Sequence, residues 1–150
     1  MNLSPFQLLY FSILGFAASL VIHIMTVMHL YLVSTSIMMI ITAGVLIVWL
    51  QTSKNMKSTL SKNTDIHPWK FIVQNCPGWM GYFLYFLIVY AIANFALVMN
   101  FSTGSGYIDL SVSQPKLRGL SGFWLVFYML GIMSGQALNC QSPEEKSADQ

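Results

Sequence analysis

The first fifty-three residues contain no Asp, Glu, Lys or Arg, and the first charged side chain of the chain is Lys54. A soluble fold rarely sustains such a segment, because its surface needs polar side chains that face water. A lipid bilayer accepts it, since about 20 consecutive apolar residues cross the hydrocarbon core as a helix. The apolar stretch from Phe6 to Leu50 is long enough for two crossings. We therefore predict an integral membrane protein.

The charged residues fall into three patches, Lys54 to Lys70, Asp109 to Arg118 and Glu144 to Asp149. Only 8% of residues are charged, against about 25% in a typical soluble domain. Each uncharged interval between patches can hold one further crossing. The sequence thus predicts an all-α, four-helix transmembrane bundle over residues 1–141 and a mobile cytoplasmic tail over residues 142–150. The predicted spans are about 6–30, 36–51, 79–100 and 119–138.

The segment between spans two and three is predicted to contain a short helix at the membrane interface. Pro68 suits the first turn of a helix, and the aromatic and aliphatic residues after it favour the membrane boundary. The turn between spans one and two contains no Gly or Pro in residues 31–36. Its position is therefore set by length alone.

The basic residues predict the orientation. The link between spans two and three contains four lysines, whereas the link between spans three and four contains only Lys116 and Arg118. Because cytoplasmic links carry the excess of Lys and Arg, we expect the first link and both termini in the cytoplasm. Cys76 and Cys140 then lie on the same reducing side, which disfavours a disulfide between them.

Three polar side chains are predicted to lie within or at the ends of the apolar spans: His23, His29 and Asn94. Polar groups at membrane depth are costly and usually face the bundle interior. We interpret His23 as an interhelical hydrogen-bonding residue with Asn94 as a candidate partner, and His29 as a residue near the outer headgroups. No cofactor is predicted, although haem or a metal at His23 is the alternative. The six-residue spacing of the two histidines does not suit one shared metal, which prefers an i, i+4 pair.

Span four has a small-residue pattern with Gly122, Gly131 and Gly135. Small residues let helix backbones approach closely, so these glycines are predicted to pack against a helix of this chain or of a second protein. Trp69, Trp79 and Trp124 are predicted to anchor the chain at the interface. No phosphate-binding loop, nucleophile elbow or zinc motif occurs. The lysines are interpreted as orienting and lipid-contacting residues, not as a nucleic-acid site.

Two stretches resemble a group of small bacterial multi-pass inner-membrane proteins of uncharacterised activity. They are Cys76-Pro-Gly-Trp-Met80 and Arg118-Gly-Leu-Ser-Gly-Phe-Trp-Leu-Val-Phe-Tyr128. The resemblance implies a bacterial inner membrane. The group often has His where this chain has Phe123, so a ligand role at that position is not expected here.

Three functions stay open at this point. The first is a non-enzymatic accessory or scaffold subunit that packs through span four against a larger membrane protein. The second is a small oligomeric transporter or channel, with His23 and Asn94 as its polar stripe. The third is a haem or metal redox protein that uses His23 or His67. In each case the lipid bilayer is the surrounding partner, and a homo-oligomer is an alternative to a larger partner.

Overall fold

The computed structural model describes residues 3–28, 30, 34–62, 68–101 and 114–145. Within these ranges the chain forms helices and contains no strand. The five helices are α1 (Pro5–Val27), α2 (Thr35–Lys62), α3 (Pro68–Gln74), α4 (Gly78–Phe101) and α5 (Gln114–Glu145).

Four of these helices, all except α3, are long and apolar enough to cross a membrane. Their apolar stretches are Pro5–Val27, Ser36–Ser58, Gly78–Leu97 and Leu117–Cys140. The prediction of an all-α membrane four-helix bundle with a short helix between the second and third spans is therefore confirmed.

The first and last long helices, α1 and α5, are antiparallel. Leu9, near the start of α1, contacts Gly135 near the end of α5, and His23, near the end of α1, bonds to Ser121 near the start of α5. We call the end of the bundle where α1 begins the near end. The opposite end, which contains His23, is the far end.

The helix boundaries follow local signals. Ser4 caps α1: its side chain accepts a hydrogen bond from the Gln7 backbone at 3.2 Å, and the Gln7 side chain accepts one from the Ser4 backbone at 3.0 Å. Together these two bonds form a capping box. Pro5 occupies the first turn, where its missing N–H costs nothing.

Two helices extend beyond the predicted spans. The second span was expected to end near residue 51, but α2 continues to Lys62. No Gly or Pro interrupts that segment, so a polar sequence can continue the helix past the apolar stretch. The last helix, α5, continues past Pro143 to Glu145, which makes residues 142–145 of the predicted tail helical. The remaining tail, residues 146–150, lies outside the described residues.

The fourth long helix, α5, forms the core of the bundle. Inside the protein 67% of its apolar stretch is buried, compared with 28%, 33% and 28% for α1, α2 and α4. It packs most extensively against α1, then against α4 and α2, and also contacts α3. The other three long helices thus surround α5 and turn most of their apolar surface outward.

A tyrosine locks α5 to its neighbours. The ring of Tyr128 occupies the space that a side chain at Gly15 of α1 would fill. The hydroxyl of Tyr128 occupies the space that a side chain at Gly44 of α2 would fill. The same hydroxyl donates a hydrogen bond to the Ile41 carbonyl at 3.0 Å. Only glycines leave room for an aromatic ring between two helices at these positions.

The short helix α3 packs against the near end of the bundle. Phe71 (3% exposed) and Ile72 are buried in a cluster with Met80 of α4 and Met133 of α5. Lys70 and Val73 on the opposite face are exposed, and Trp69, beside Ile72, is about half exposed. This amphipathic arrangement suits a helix that is fixed to the bundle on one side and faces the membrane boundary on the other.

Candidate functional site

His23 joins three helices near the far end of the bundle. The side chain is 4% exposed. Its Nδ1 lies 2.8 Å from the Ser121 hydroxyl of α5, and its Nε2 lies 2.6 Å from the Tyr90 hydroxyl of α4. The imidazole ring of His23 and the phenol ring of Tyr90 also meet edge to face, with centroids 5.4 Å apart. His23 of α1 is therefore an interhelical residue with both ring nitrogens engaged.

The hydroxyl partners assign the proton on the imidazole. Ser121 donates its own O–H to the Arg118 carbonyl at 3.1 Å, so towards His23 it can only accept. In this network Nδ1–H donates to Ser121, and Nε2 accepts from the Tyr90 O–H. The assignment follows from the hydrogen-bond network and describes a neutral Nδ1–H imidazole.

Asn94 supports the same site from the side of α4. It is buried, its Oδ1 accepts a hydrogen bond from Arg118 Nε at 3.0 Å, and its Nδ2 donates to the Tyr90 carbonyl at 2.9 Å. Asn94 and His23 are thus members of one polar cluster, as expected from their depth. They are connected through Tyr90 and the segment Arg118–Ser121, not by a bond to each other, in the part of the chain that the structure describes.

The cluster of His23, Tyr90, Asn94, Arg118 and Ser121 links α1, α4 and α5. Interhelical hydrogen bonds of this kind contribute about 0.6 kcal/mol on average in membrane proteins. Their value here lies in fixing the register of three helices, because the bonds of His23 and Asn94 form only when α1, α4 and α5 are aligned as they are. We call this group the far-end cluster.

Ligation of haem iron or a metal by His23 would require an unoccupied lone pair on a ring nitrogen. In the far-end cluster Nε2 already accepts from Tyr90 and Nδ1 carries the proton donated to Ser121. Among the described residues no group of three or more His, Cys, Asp and Glu side chains could hold a metal. His29 and His67 lie outside the described residues. In the part of the chain that the structure describes, both ring nitrogens of His23 are thus engaged by hydroxyl groups of the same chain.

The three predicted packing glycines all face helices of the same chain. A Cβ on Gly122 would contact the Ala91 backbone of α4 at 3.4 Å, and one on Gly135 would lie 3.0 Å from the Leu9 backbone of α1. A Cβ on Gly131 would overlap side-chain atoms of Ser12 and Val48. Gly122, Gly131 and Gly135 thus allow α5 to approach three helices at once.

The three tryptophans expected at the interface divide into two kinds. Trp79 and Trp69 lie at the near end of the bundle and are well exposed, which suits residues that anchor a protein at the membrane interface. Trp124 differs from the expectation: it is 2% exposed and belongs to the core cluster with Leu8, Val48 and Tyr128. Its helix is surrounded by the other spans, so a residue near the end of α5 still faces protein.

The two cysteines lie at the near end as free thiols. Cys76 donates a hydrogen bond from Sγ to the Met133 carbonyl at 3.2 Å. Burial raises the pKa of the Cys76 thiol, and the nearby Cys140 acts in the same direction. Cys140 itself is exposed.

Sequence reasoning missed the partners of His23. Tyr90 and Asn94 are four residues apart, and Arg118 and Ser121 are three apart, so each pair lies on one helix face. These two spacings in the sequence could have indicated the polar faces that contact His23. Phe123 contacts the Phe95 ring edge to face, with centroids 5.5 Å apart, and adds no polar group to the site. Comparisons of this chain with protein families, curated proteins and solved structures gave no match.

Proposed function

We propose that this chain is a non-enzymatic accessory or scaffold subunit of a larger membrane assembly, with α4 as the surface that meets the partner. The sequence pattern favoured span four for that role. In the structure α5 is enclosed by the other helices of its own chain. The surface that contacts a partner must therefore belong to a different helix. The polar far-end cluster and the glycine contacts give the bundle a fixed shape that a scaffold needs.

The observation that carries the proposal is a row of exposed side chains on the outer face of α4. Tyr82 is 81% exposed and Tyr85 is 70% exposed, and Phe86 and Val89 continue the same face. We call these four residues the α4 aromatic face. Neither tyrosine hydroxyl has a hydrogen-bond partner among the described residues, and a hydroxyl left unpaired in an apolar medium is costly.

Tyrosine is enriched where membrane or soluble proteins meet, since it supplies a large contact area and one hydrogen bond. Tyr85 lies seven residues after Gly78, about 10 Å along the helix. That depth is beyond the first turn, where a tyrosine at the headgroups is usual. A partner helix at this face would cover the rings and accept hydrogen bonds from their hydroxyls.

A channel through one copy of the chain is less well supported. The centre of the bundle is filled by α5, with Tyr128 between Gly15 and Gly44. Towards the near end the core consists of apolar side chains such as Leu84, Met129 and Met133. A transport path would therefore need to run between copies.

Photocrosslinking in native membranes tests the proposal. A photoreactive phenylalanine analogue is placed at Tyr82 or Tyr85, and a matched control is placed at Ile40 of α2, which is also 70% exposed. We expect one protein adduct of defined mass from the α4 positions and lipid adducts from Ile40. Lipid adducts alone at all three positions would contradict the proposal, and an adduct of two copies would favour the homo-oligomer instead.

We also propose that the near end faces the cytoplasm of a bacterial cell and that the protein lies in the inner membrane. Lys54, Lys57 and Lys62 on α2 and Lys70 on α3 all belong to the near end, which supports this orientation by the positive-inside rule. Activity reporters fused at Lys62 and at a position in the link after α4 should report opposite sides. The same side for both would contradict the orientation and the span count.

A further inference from the structure

An apolar groove opens at the near end where α2, α3 and α5 meet. It has a volume of about 300 Å³, at the lower end of the range of about 300–1,000 Å³ for small-ligand sites. Its walls include Trp49, Thr52, Trp69, Ile72, Leu130 and Ser134. We call it the α2–α3–α5 groove.

Two hydroxyls in this groove have no partner within the described chain. Ser134 is fully buried and Thr52 is partly buried, and neither Oγ of Ser134 nor Oγ1 of Thr52 makes a hydrogen bond there. At the near end, the apolar stretch of α2 ends at Ser58 and that of α5 ends at Cys140. Thr52 and Ser134 each lie six residues before these ends, so the two hydroxyls are at about the same depth in the bundle. Two unpartnered donors at one level of a mostly apolar groove suit a ligand with a carbonyl at that level.

Positive charge lies beside the groove. Lys57 follows the groove residue Met56, and Lys70 follows Trp69, and both lysines are exposed. The helices α2 and α3 contain no Asp or Glu, and the acidic residues of α5, Glu144 and Glu145, are ten or more residues beyond Ser134, at the end of that helix. Lysines at a membrane surface attract anionic lipid headgroups, and basic pockets between helices bind such headgroups selectively.

We propose that the α2–α3–α5 groove binds one anionic phospholipid, with an acyl chain along its apolar wall and the phosphate at Lys57 and Lys70. Thr52 precedes Lys57 by five residues, about 7.5 Å of helix rise, so the long Lys57 side chain can reach a phosphate whose ester carbonyl lies beside Thr52. The carbonyl then accepts from the hydroxyls of Thr52 and Ser134. The bilayer supplies this ligand directly, since an apolar groove on a membrane bundle opens to lipid.

Native mass spectrometry of the full-length protein tests the site. The protein is purified in detergent and titrated separately with phosphatidylglycerol and phosphatidylcholine, and the lipids retained per protein are counted. We expect one tightly retained phosphatidylglycerol and a preference of about tenfold over phosphatidylcholine. Equal retention of the two lipids would overturn the proposal.

Two pairs of variants locate the binding. Lys57→Gln combined with Lys70→Gln should remove the preference, whereas Lys54→Gln, an exposed lysine of the same helix that borders a different pocket, should keep it. Leu130→Trp should fill the groove and abolish retention, whereas Leu120→Trp, an exposed position of α5 at the far end, should not. Equal effects within either pair would overturn the assignment to this groove. The charge variants are on the surface, so they remain informative if Leu130→Trp does not fold.

Discussion

Replacing Gly15 with Ala tests the packing of α5 most sharply at a single site. A Cβ at position 15 would overlap three atoms of the Tyr128 ring. Carbon atoms in contact lie about 3.5–4.0 Å apart, so the nearest ring atom must move by about 1.5 Å. The ring has little room to move, because its hydroxyl is held against Gly44 and bonded to the Ile41 carbonyl at 3.0 Å.

The expected change in the free energy of unfolding follows from three contributions. Overpacking a filled site costs about 1–3 kcal/mol, and loss of the buried hydrogen bond costs about 0.5–1.5 kcal/mol. The gain in helix propensity from Gly to Ala offsets about 1 kcal/mol. We therefore expect Gly15→Ala to destabilise the protein by about 2 kcal/mol.

The assay is reversible unfolding in mixed micelles with an increasing fraction of SDS, followed by helical circular dichroism. Gly81→Ala is the matched control, because a Cβ there meets nothing within 4 Å and should stabilise α4 by about 0.5–1 kcal/mol. Combining Gly15→Ala with Tyr128→Leu should recover about 1–3 kcal/mol relative to additivity. If Gly15→Ala were as stable as Gly81→Ala, the tyrosine lock would be refuted.

Three further predictions concern the far-end cluster and the near end. Tyr90→Phe leaves His23 Nε2 without its donor and should lower the stability by about 1 kcal/mol in the same assay; an unchanged stability would mean that the bond does not form. Phe71→Ala should release α3 from the bundle, because the lost ring is buried and such truncations cost about 3–5 kcal/mol; faster proteolysis beside α3 checks this, and unchanged protection would contradict it. Since its pKa is raised, Cys76 is largely protonated at neutral pH and should react with maleimide more slowly than the exposed Cys140, with a rate that increases with pH; equal rates would contradict the burial of Cys76.

The membrane fold was predictable because it depends on long-range composition. A charge-free segment of fifty-three residues leaves few alternatives to a pair of membrane helices, and the charge gaps give the other two. The start of α1 was also predictable, since Ser4 and Pro5 are local signals. The far limit of α2 was not, because polar residues without Gly or Pro continue a helix as well as they end it. The far limit of α5 was not either, because the helix continues past Pro143, where a proline usually ends one.

The identity of the central helix was not predictable from hydropathy. The span with the lowest mean hydropathy, 1.3 over Leu117–Cys140, is the one that the others enclose. Its small residues indicated close packing, and the structure assigns those contacts to α1, α2 and α4. Trp124 was misjudged for the same reason, because an interfacial position in the sequence does not say whether protein or lipid surrounds it.

The candidate site was predicted in part. The depth of His23 and Asn94 placed both near one level of the bundle, but their partners depend on how three helices are rotated. Tyr90 and Ser121 were ordinary residues in the sequence. They became partners of His23 only when α4 and α5 turned those faces towards α1.

A lipid-accessibility scan tests the central claim that α5 is the enclosed core of a four-helix membrane bundle. Single spin labels are placed along α4 and α5 in proteoliposomes, and their collision rates with oxygen dissolved in the bilayer are measured. We predict low rates at most positions of α5, where two thirds of the span is buried, and high rates with a helical period on α4. Rates on α5 as high as those on α4 would contradict the account, because they would place α5 on the lipid-facing surface.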